Sequence, residues 1–194
     1  MFIKSDPRVV DLLQLLKSRE PDPDKKIIFD TSYTDILLIF DLDPQAPDFA
    51  PGKIRRMAEY FVESSDMGKL YLNFPMVESF YHMSSIPDSH YNNCYATIDE
   101  LIAGKYKARV NRENRNHDHR KFAVNRKECN IVIHQNINKA FYLTNEIKVA
   151  EYIPGQENIL AAQISLIEKE CKVSVLCTCP FFIPDYNPVL IRQE

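Results

Sequence analysis

The chain has 194 residues, 45% hydrophobic and 26% charged, with a formal net charge of −3. That composition predicts a globular domain with its own core, and the charge excludes a surface that binds polyanions all over. Four glycines against twelve prolines leave no glycine-rich phosphate loop, which argues against P-loop and dinucleotide-fingerprint chemistry. There is no apolar run of membrane-spanning length and no signal-peptide pattern, so a soluble, cytoplasmic protein without a membrane partner is expected.

Ser5 and Asp6 before Pro7 predict a helix start, and apolar residues at 9, 10, 12, 13, 15 and 16 carry the helix to the prolines of EPDPD (20–24). KKIIFD reads as a short strand or an extended link. The continuous apolar run in DILLIFDLD predicts a strand buried on both faces, at the centre of a parallel sheet. A proline-rich loop follows, then an amphipathic helix with apolar residues at 54, 57, 58, 61 and 62. KLYLNF (69–74) is a second strand, so this stretch forms a right-handed, parallel βαβ unit. Pro75 predicts a helix through PMVESFYHMSS, followed by a loop over IPDSHYNNCYA. The chain then reads as helical from about 96 to 145, with a polar centre, and again over GQENILAAQISLIEKECK. VSVLCT is a last buried strand before an irregular tail, whose DYNPVLI either docks a partner or covers a sheet edge. The expected fold is α/β: a mostly parallel Rossmann-like sheet with flanking helices and a helical C-terminal extension. Its segments, expected to form one compact domain, are an α/β core (1–90), a mainly helical basic segment (91–170), and a final core strand with its tail (171–194).

Asp41 and Asp43 stand at the carboxyl end of the first strand, where ligand sites of open α/β sheets lie. Two carboxylates so close repel each other unless a cation sits between or beside them. Mg²⁺ or Mn²⁺ held by such a pair, with waters and a substrate phosphate, suits phosphodiester or phosphoryl chemistry. The alternative is a solvated loop start, since Asp is common in turns. Glu78 follows the second strand by one helical turn and could face the same crevice, or simply favour a first helical turn. Asn73 at that strand's tip could cap the helix or touch a phosphate.

The strand ending in D-x-D, the helix, and the strand ending in Asn73-x-Pro75-x-x-Glu78-x-Phe80-Tyr81-His82 resemble the Toprim-type domains of RloB-like and OLD-type phage-defence proteins. The resemblance covers about residues 35–85. It implies a Toprim/Rossmann-like core and a metal-dependent nuclease, with Asp41 and Asp43 as metal ligands and Glu78 as a further catalytic acid. Toprim domains carry a glutamate on a strand upstream of D-x-D. Here a helix precedes it, Glu20 follows that helix, and Asp30 after IIF is the nearest acid in a comparable place. The chain is therefore expected to be a fragment or a short form without full catalytic equipment. A phosphatase of the haloacid dehalogenase kind is the weaker resemblance: that family also places D-x-D after an apolar strand, but it expects Thr or Val where Gln45 stands.

Residues 105–127 hold nine Lys/Arg against two acids, a local charge of about +7 that leaves about −10 elsewhere. Such a tract is the footprint of a nucleic-acid binder. Arg109, Arg112, Arg115, Arg120, Lys121 and Arg126 are the candidate phosphate contacts, with Tyr106 and Phe122 for stacking. The alternative is a solvated helix face. His117 and His119 have metal-ligand character, but the surrounding cations oppose it. His134 reads as structural, and His82 would share a helix face with Glu78. Cys177 and Cys179, two apart on a strand, share a face and form either a metal or redox pair or two small buried hydrophobes. The two function hypotheses are a Mg²⁺-dependent nuclease domain acting on DNA or RNA, and a catalytically incomplete module that binds nucleic acid or a protein partner in a defence system.

Overall fold

The computed structural model describes residues 11–65, 67–148, 152–187 and 189, so the helix start at Ser5–Pro7 lies outside the described residues. The fold is mixed α/β, with eight α-helices and six strands among those residues. The chain divides into two compact units, Met1–Leu38 with Ala50–Leu70 and Ile39–Phe49 with Tyr71–Glu194. Strands β1 (Leu37–Asp41) and β3 (Gly68–Phe74) each begin in the first unit and end in the second. Among the described residues no helix is long and apolar enough to cross a membrane.

In the first unit, α1 (Leu12–Arg19) starts at Asp11, whose carboxylate accepts from the Gln14 N–H at 3.1 Å. KKIIFD is not extended: α2 (Pro23–Lys26) runs into a 3-10 turn, Ile27–Asp30. Asp22 caps α2 with Pro23 at its first position, and these local signals outweigh the β-branched pair that follows. Asp30 closes the turn in an ion pair with Lys17, so it does not stand at a strand end. Helix α3 (Pro51–Tyr60) buries Ile54, Met57 and Ala58, as the spacing predicts. It stops short of Val62, which starts the two-residue strand β2 (Val62–Glu63). Strand β2 pairs antiparallel with β3, the chain between them being too short for a crossover. Gly68 sits at φ +108°, where a Cβ would lie 3.2 Å from the Ile36 side chain, so glycine is required at that start of β3.

Strand order in the larger sheet is β1-β3-β2, and β6 (Leu176–Cys177) also pairs with β3. Among the described residues parallel pairing is confined to β1–β3, whereas β2, β6 and the separate β4–β5 pair run antiparallel, so the larger sheet is not mostly parallel there. The apolar run of residues 36–40 does not mark the central strand: β1 lies at an edge with Ile39 48% exposed. The central strand is β3, with Leu70, Tyr71, Leu72, Asn73 and Phe74 all buried.

The second unit carries β4 (Tyr95–Thr97), α4 (Ile98–Ile102), α5 (Tyr106–Glu113), α6 (Arg126–Thr144) and α7 (Gln156–Glu170). Thr97 caps α4 and Asn125 caps α6 through their side chains. The expected helix from 96 to 145 is thus three helices, preceded by a short strand and broken at 114–125 by a single 3-10 turn. Pro75 starts no α-helix; Val77–Tyr81 is one 3-10 turn. VSVLCT divides between two sheets: β5 (Lys172–Ser174) pairs with β4, and β6 with β3. The tail forms α8 (Phe182–Tyr186), whose Asp185 accepts from the Tyr71 hydroxyl at 2.7 Å.

Lys139 of α6 is fully buried. Its ammonium donates to the carbonyls of Tyr91 at 2.6 Å and Cys94 at 2.8 Å, and lies 4.3 Å from the Tyr91 ring centre. Burial pushes its pKa down to about 7. The folded state therefore releases this proton at lower pH than the unfolded chain, so the unfolded state binds more protons above that value and stability rises with pH. Chemical denaturation between pH 7 and pH 9 should show wild-type stability climbing relative to Lys139→Met, by at most about 1.4 kcal/mol per pH unit. Parallel curves for the two proteins would contradict it.

Candidate acidic site at the strand ends

Asp41 ends β1, and the chain turns at once. Asp43 sits at φ 46°, a left-handed conformation that aspartate tolerates better than most residues. The turn is stitched to the end of β3: Leu42 N–H donates to the Asn73 carbonyl at 3.0 Å, and Asp43 N–H to the Pro75 carbonyl at 3.1 Å. Asn73, buried at the tip of β3, donates from its amide to Asp41 Oδ1 at 3.0 Å. Gln45 donates to Asp43 Oδ1 at 3.2 Å.

Glu78 projects from the 3-10 turn after β3, with its side chain 12% exposed. Its Oε1 pairs with Lys107 Nζ of α5 at 2.9 Å, and its Oε2 is buried without a hydrogen-bond partner. Lys107 was legible only as one charge of the basic tract; nothing in the sequence ties it to a glutamate 29 residues earlier. The Asp41 residue is exposed overall, yet its carboxyl is partly withdrawn from water and its pKa is raised. Burial is the main cause, opposed by the Asn73 hydrogen bond; the charges of Asp43 and Glu78 push it further up, and the Val77 N–H acts against them. Glu78 in turn raises the Lys107 pKa through their hydrogen bond and charge, with a further contribution from Asp41. The structure therefore brings Asp41, Asp43, Glu78 and Lys107 into one electrostatic cluster at the carboxyl ends of β1 and β3.

Asn73 joins this cluster to the cysteines. Cys177 ends β6 opposite Asn73, and its thiol donates to Asn73 Oδ1 at 3.1 Å. Cys179 Sγ lies 3.2 Å from Cys177 Sγ. Burial holds the Cys177 thiol well above the usual thiol range, while the contact with Cys177 lowers that of Cys179.

The basic tract is largely engaged within the protein. Arg109 makes a two-pronged contact with Glu100 at 2.6 and 2.9 Å and donates to the Tyr95 carbonyl at 2.8 Å, which makes it a structural cross-link between α4 and α5. Arg115 pairs with Glu128 at 2.7 Å, Arg112 with Glu113 at 3.0 Å, and Arg120 with Asp118 at 3.1 Å. Glu78, Glu100 and Glu128 come from outside the tract and reduce its local excess from about +7 to +4. Lys121 and Arg126 are exposed. Tyr106 and Phe122 are each 1% exposed and belong to the core, so neither can stack on a base. His82 is buried too, between the Tyr106 hydroxyl and Glu113 at 3.2 Å each, with burial lowering its pKa. His117 is exposed, and the His119 ring lies 5.6 Å from that of Tyr81.

Among the described residues no three His, Cys, Asp or Glu side chains converge as a metal-binding group. Mg²⁺ does not need three, since it keeps several waters and uses one or two carboxylates with substrate phosphate. The hard oxygen donors of Asp41 and Asp43 suit such an ion, and the unsatisfied Glu78 Oε2 leaves an acceptor for one of its waters.

Ionised Asp41 is disfavoured by its surroundings, so its neutral isostere should be tolerated. Asp41→Asn is expected to raise the unfolding free energy at neutral pH, by less than about 1 kcal/mol because the residue is exposed to solvent. The gain should vanish in acid, where Asp41 is protonated in both states; chemical denaturation at the two pH values checks this, and a loss at neutral pH would contradict it. Comparison with family models, curated proteins and solved structures finds no match to this chain.

Proposed function

We propose that the acidic cluster is a metal-dependent phosphodiester site that acts on nucleic acid, as the resemblance to Toprim-type domains of phage-defence proteins implies. The observation that carries this reading is the grouping of Asp41, Asp43 and Glu78 at the carboxyl ends of β1 and β3, with Asn73 holding Asp41; burial first, and then the charges of Asp43 and Glu78, raise the Asp41 carboxyl. Asp41 and Asp43 would hold Mg²⁺ or Mn²⁺. Such an ion supplies charge stabilisation to a phosphodiester and a nucleophile at neutral pH. Asn73 fixes the Asp41 carboxylate through the hydrogen bond to Oδ1. Lys107 is 64% exposed and can leave Glu78 for a phosphate oxygen, which would free Glu78 to accept a proton. The exposed part of the basic tract, led by Lys121, Arg112 and Arg120, would grip the backbone of the strand; the surface pairs of Arg112 and Arg120 exchange readily.

A second reading is favoured by the Lys107–Glu78 pair: the cluster already holds a cation of its own, as expected of a catalytically incomplete module that binds nucleic acid or a protein partner. The two separate in one experiment. Single- and double-stranded DNA and RNA are incubated with the protein and Mg²⁺ or Mn²⁺, and binding and cleavage are followed in parallel. The nuclease reading expects cleavage that falls at least a hundredfold in Asp41→Ala/Asp43→Ala, with binding retained. Binding without cleavage assigns the module.

The basic residues differ in what their loss should do. Arg112→Ala/Arg120→Ala/Lys121→Ala should weaken nucleic-acid binding and flatten its salt dependence by up to about three charges. Arg109→Ala should instead lower the unfolding free energy, by about 1–3 kcal/mol for the stranded Glu100 carboxylate and Tyr95 carbonyl. Unchanged salt dependence in the triple variant would remove nucleic acid from the account.

A further inference from the structure

Strand β6 ends at Cys177, and Thr178 turns the chain at φ −99° and ψ −6° into the 3-10 turn that begins with Cys179. The two sulfurs meet because of this turn, not because they share a strand face. Thr178 is held in place: its hydroxyl donates to the Leu72 carbonyl at 2.8 Å and accepts from the Leu72 N–H at 2.9 Å. The thiols are both free and stand 3.2 Å apart, and a disulfide of about 2.05 Å is reached by a small rotation of each side chain. They differ in access. Cys177 is fully buried, whereas Cys179 is partly exposed.

We propose that Cys177 and Cys179 form a thiol–disulfide modification site that exchanges with small-molecule disulfides, and that Asn73 registers its state. The Cys179 thiolate attacks one sulfur of a small disulfide, forming a mixed disulfide and expelling one thiolate. Cys177 then attacks Cys179 Sγ, closing the intramolecular bond and expelling the second. The two protein protons end on the two released thiols, and the protein pair is oxidised by two electrons while the small disulfide is reduced. Buried Cys177 has no path to the reagent of its own, which makes Cys179 the entry sulfur and Cys177 the resolving one. Closure removes the proton that Cys177 donates to Asn73 Oδ1. That oxygen is buried, so the amide must shift or lose its partner, and its other end holds Asp41. The modification is independent of the metal reading, since it needs no ion and no substrate at the acidic cluster.

The full chain is treated with oxidised glutathione, quenched and mapped by peptide mass, with exposed Cys171 reporting that the reagent reached the protein. The expected result is a peptide spanning 177–179 lighter by two hydrogens, restored by dithiothreitol, beside glutathione on Cys171. In Cys179→Ser, Cys177 should remain a free thiol under the same treatment. Glutathionylated Cys171 beside an intact dithiol, or a reaction that stops at glutathione on Cys179, overturns the site; glutathione on Cys177 in Cys179→Ser overturns the order of attack. The Asn73 side-chain amide resonances should move on oxidation of wild type, and a closed disulfide with those signals unmoved overturns the coupling to Asn73.

Discussion

Asn73 is a polar side chain at the carboxyl end of a strand with almost no solvent, and a buried amide must find its partners inside the protein. It finds them on both sides. Its nitrogen holds Asp41 at the end of β1, its oxygen takes the thiol of Cys177 at the end of β6, and its backbone carbonyl receives Leu42. Two chain segments, each distant in sequence, are thereby tied to one residue of β3. Other buried polar groups extend the same arrangement: Asn136 accepts from the Tyr91 hydroxyl and the Cys177 N–H, and Thr178 pairs with the backbone of Leu72. The strand ends are thus held by satisfied hydrogen bonds, whose directions fix geometry in a way that apolar contacts alone do not.

The charges follow from that arrangement. Three carboxylates and one lysine leave the cluster net negative, and such a site repels a phosphate backbone. A divalent cation would cancel that charge locally, which is why the metal and the nucleic acid belong to one proposal rather than two. Lys107 tempers the charge without cancelling it. Its exposed position lets it serve either acid or ligand, whereas Arg109, clamped between Glu100 and the Tyr95 carbonyl, is committed to the fold.

Elements with a long, regular pattern were legible in the sequence. Helices α3 and α7 bury residues at helical spacing, and β3 is buried from Leu70 to Phe74, with Asn73 the one amide among apolar and aromatic side chains there. Shorter signals misled. The apolar run of residues 36–40 has the composition of a central strand but lies at an edge, because composition cannot say which of two adjacent strands gains partners on both sides. Pro75 is compatible with a helix start, yet the turn after it is 3-10 and only five residues long. The basic tract announced its charge but not the acids that answer it, since Glu100 and Glu128 lie in ordinary helices. At the site itself, D-x-D and Glu78 could be picked out by residue type and their place after strands. Lys107 and the thiol contact of Asn73 depend on tertiary pairing and leave no local trace.

In the proposed metal-dependent site, Asp41 and Asp43 would share one divalent cation beside Glu78. Titration with Mn²⁺, followed by paramagnetic broadening of assigned amide signals, tests it without recourse to any substrate. Leu42, Asp43, Asn73 and Val77 should broaden first at substoichiometric Mn²⁺, and Mg²⁺ should restore them by competition. Broadening centred on His117 and His119, or none at all near residues 41–43, would contradict it.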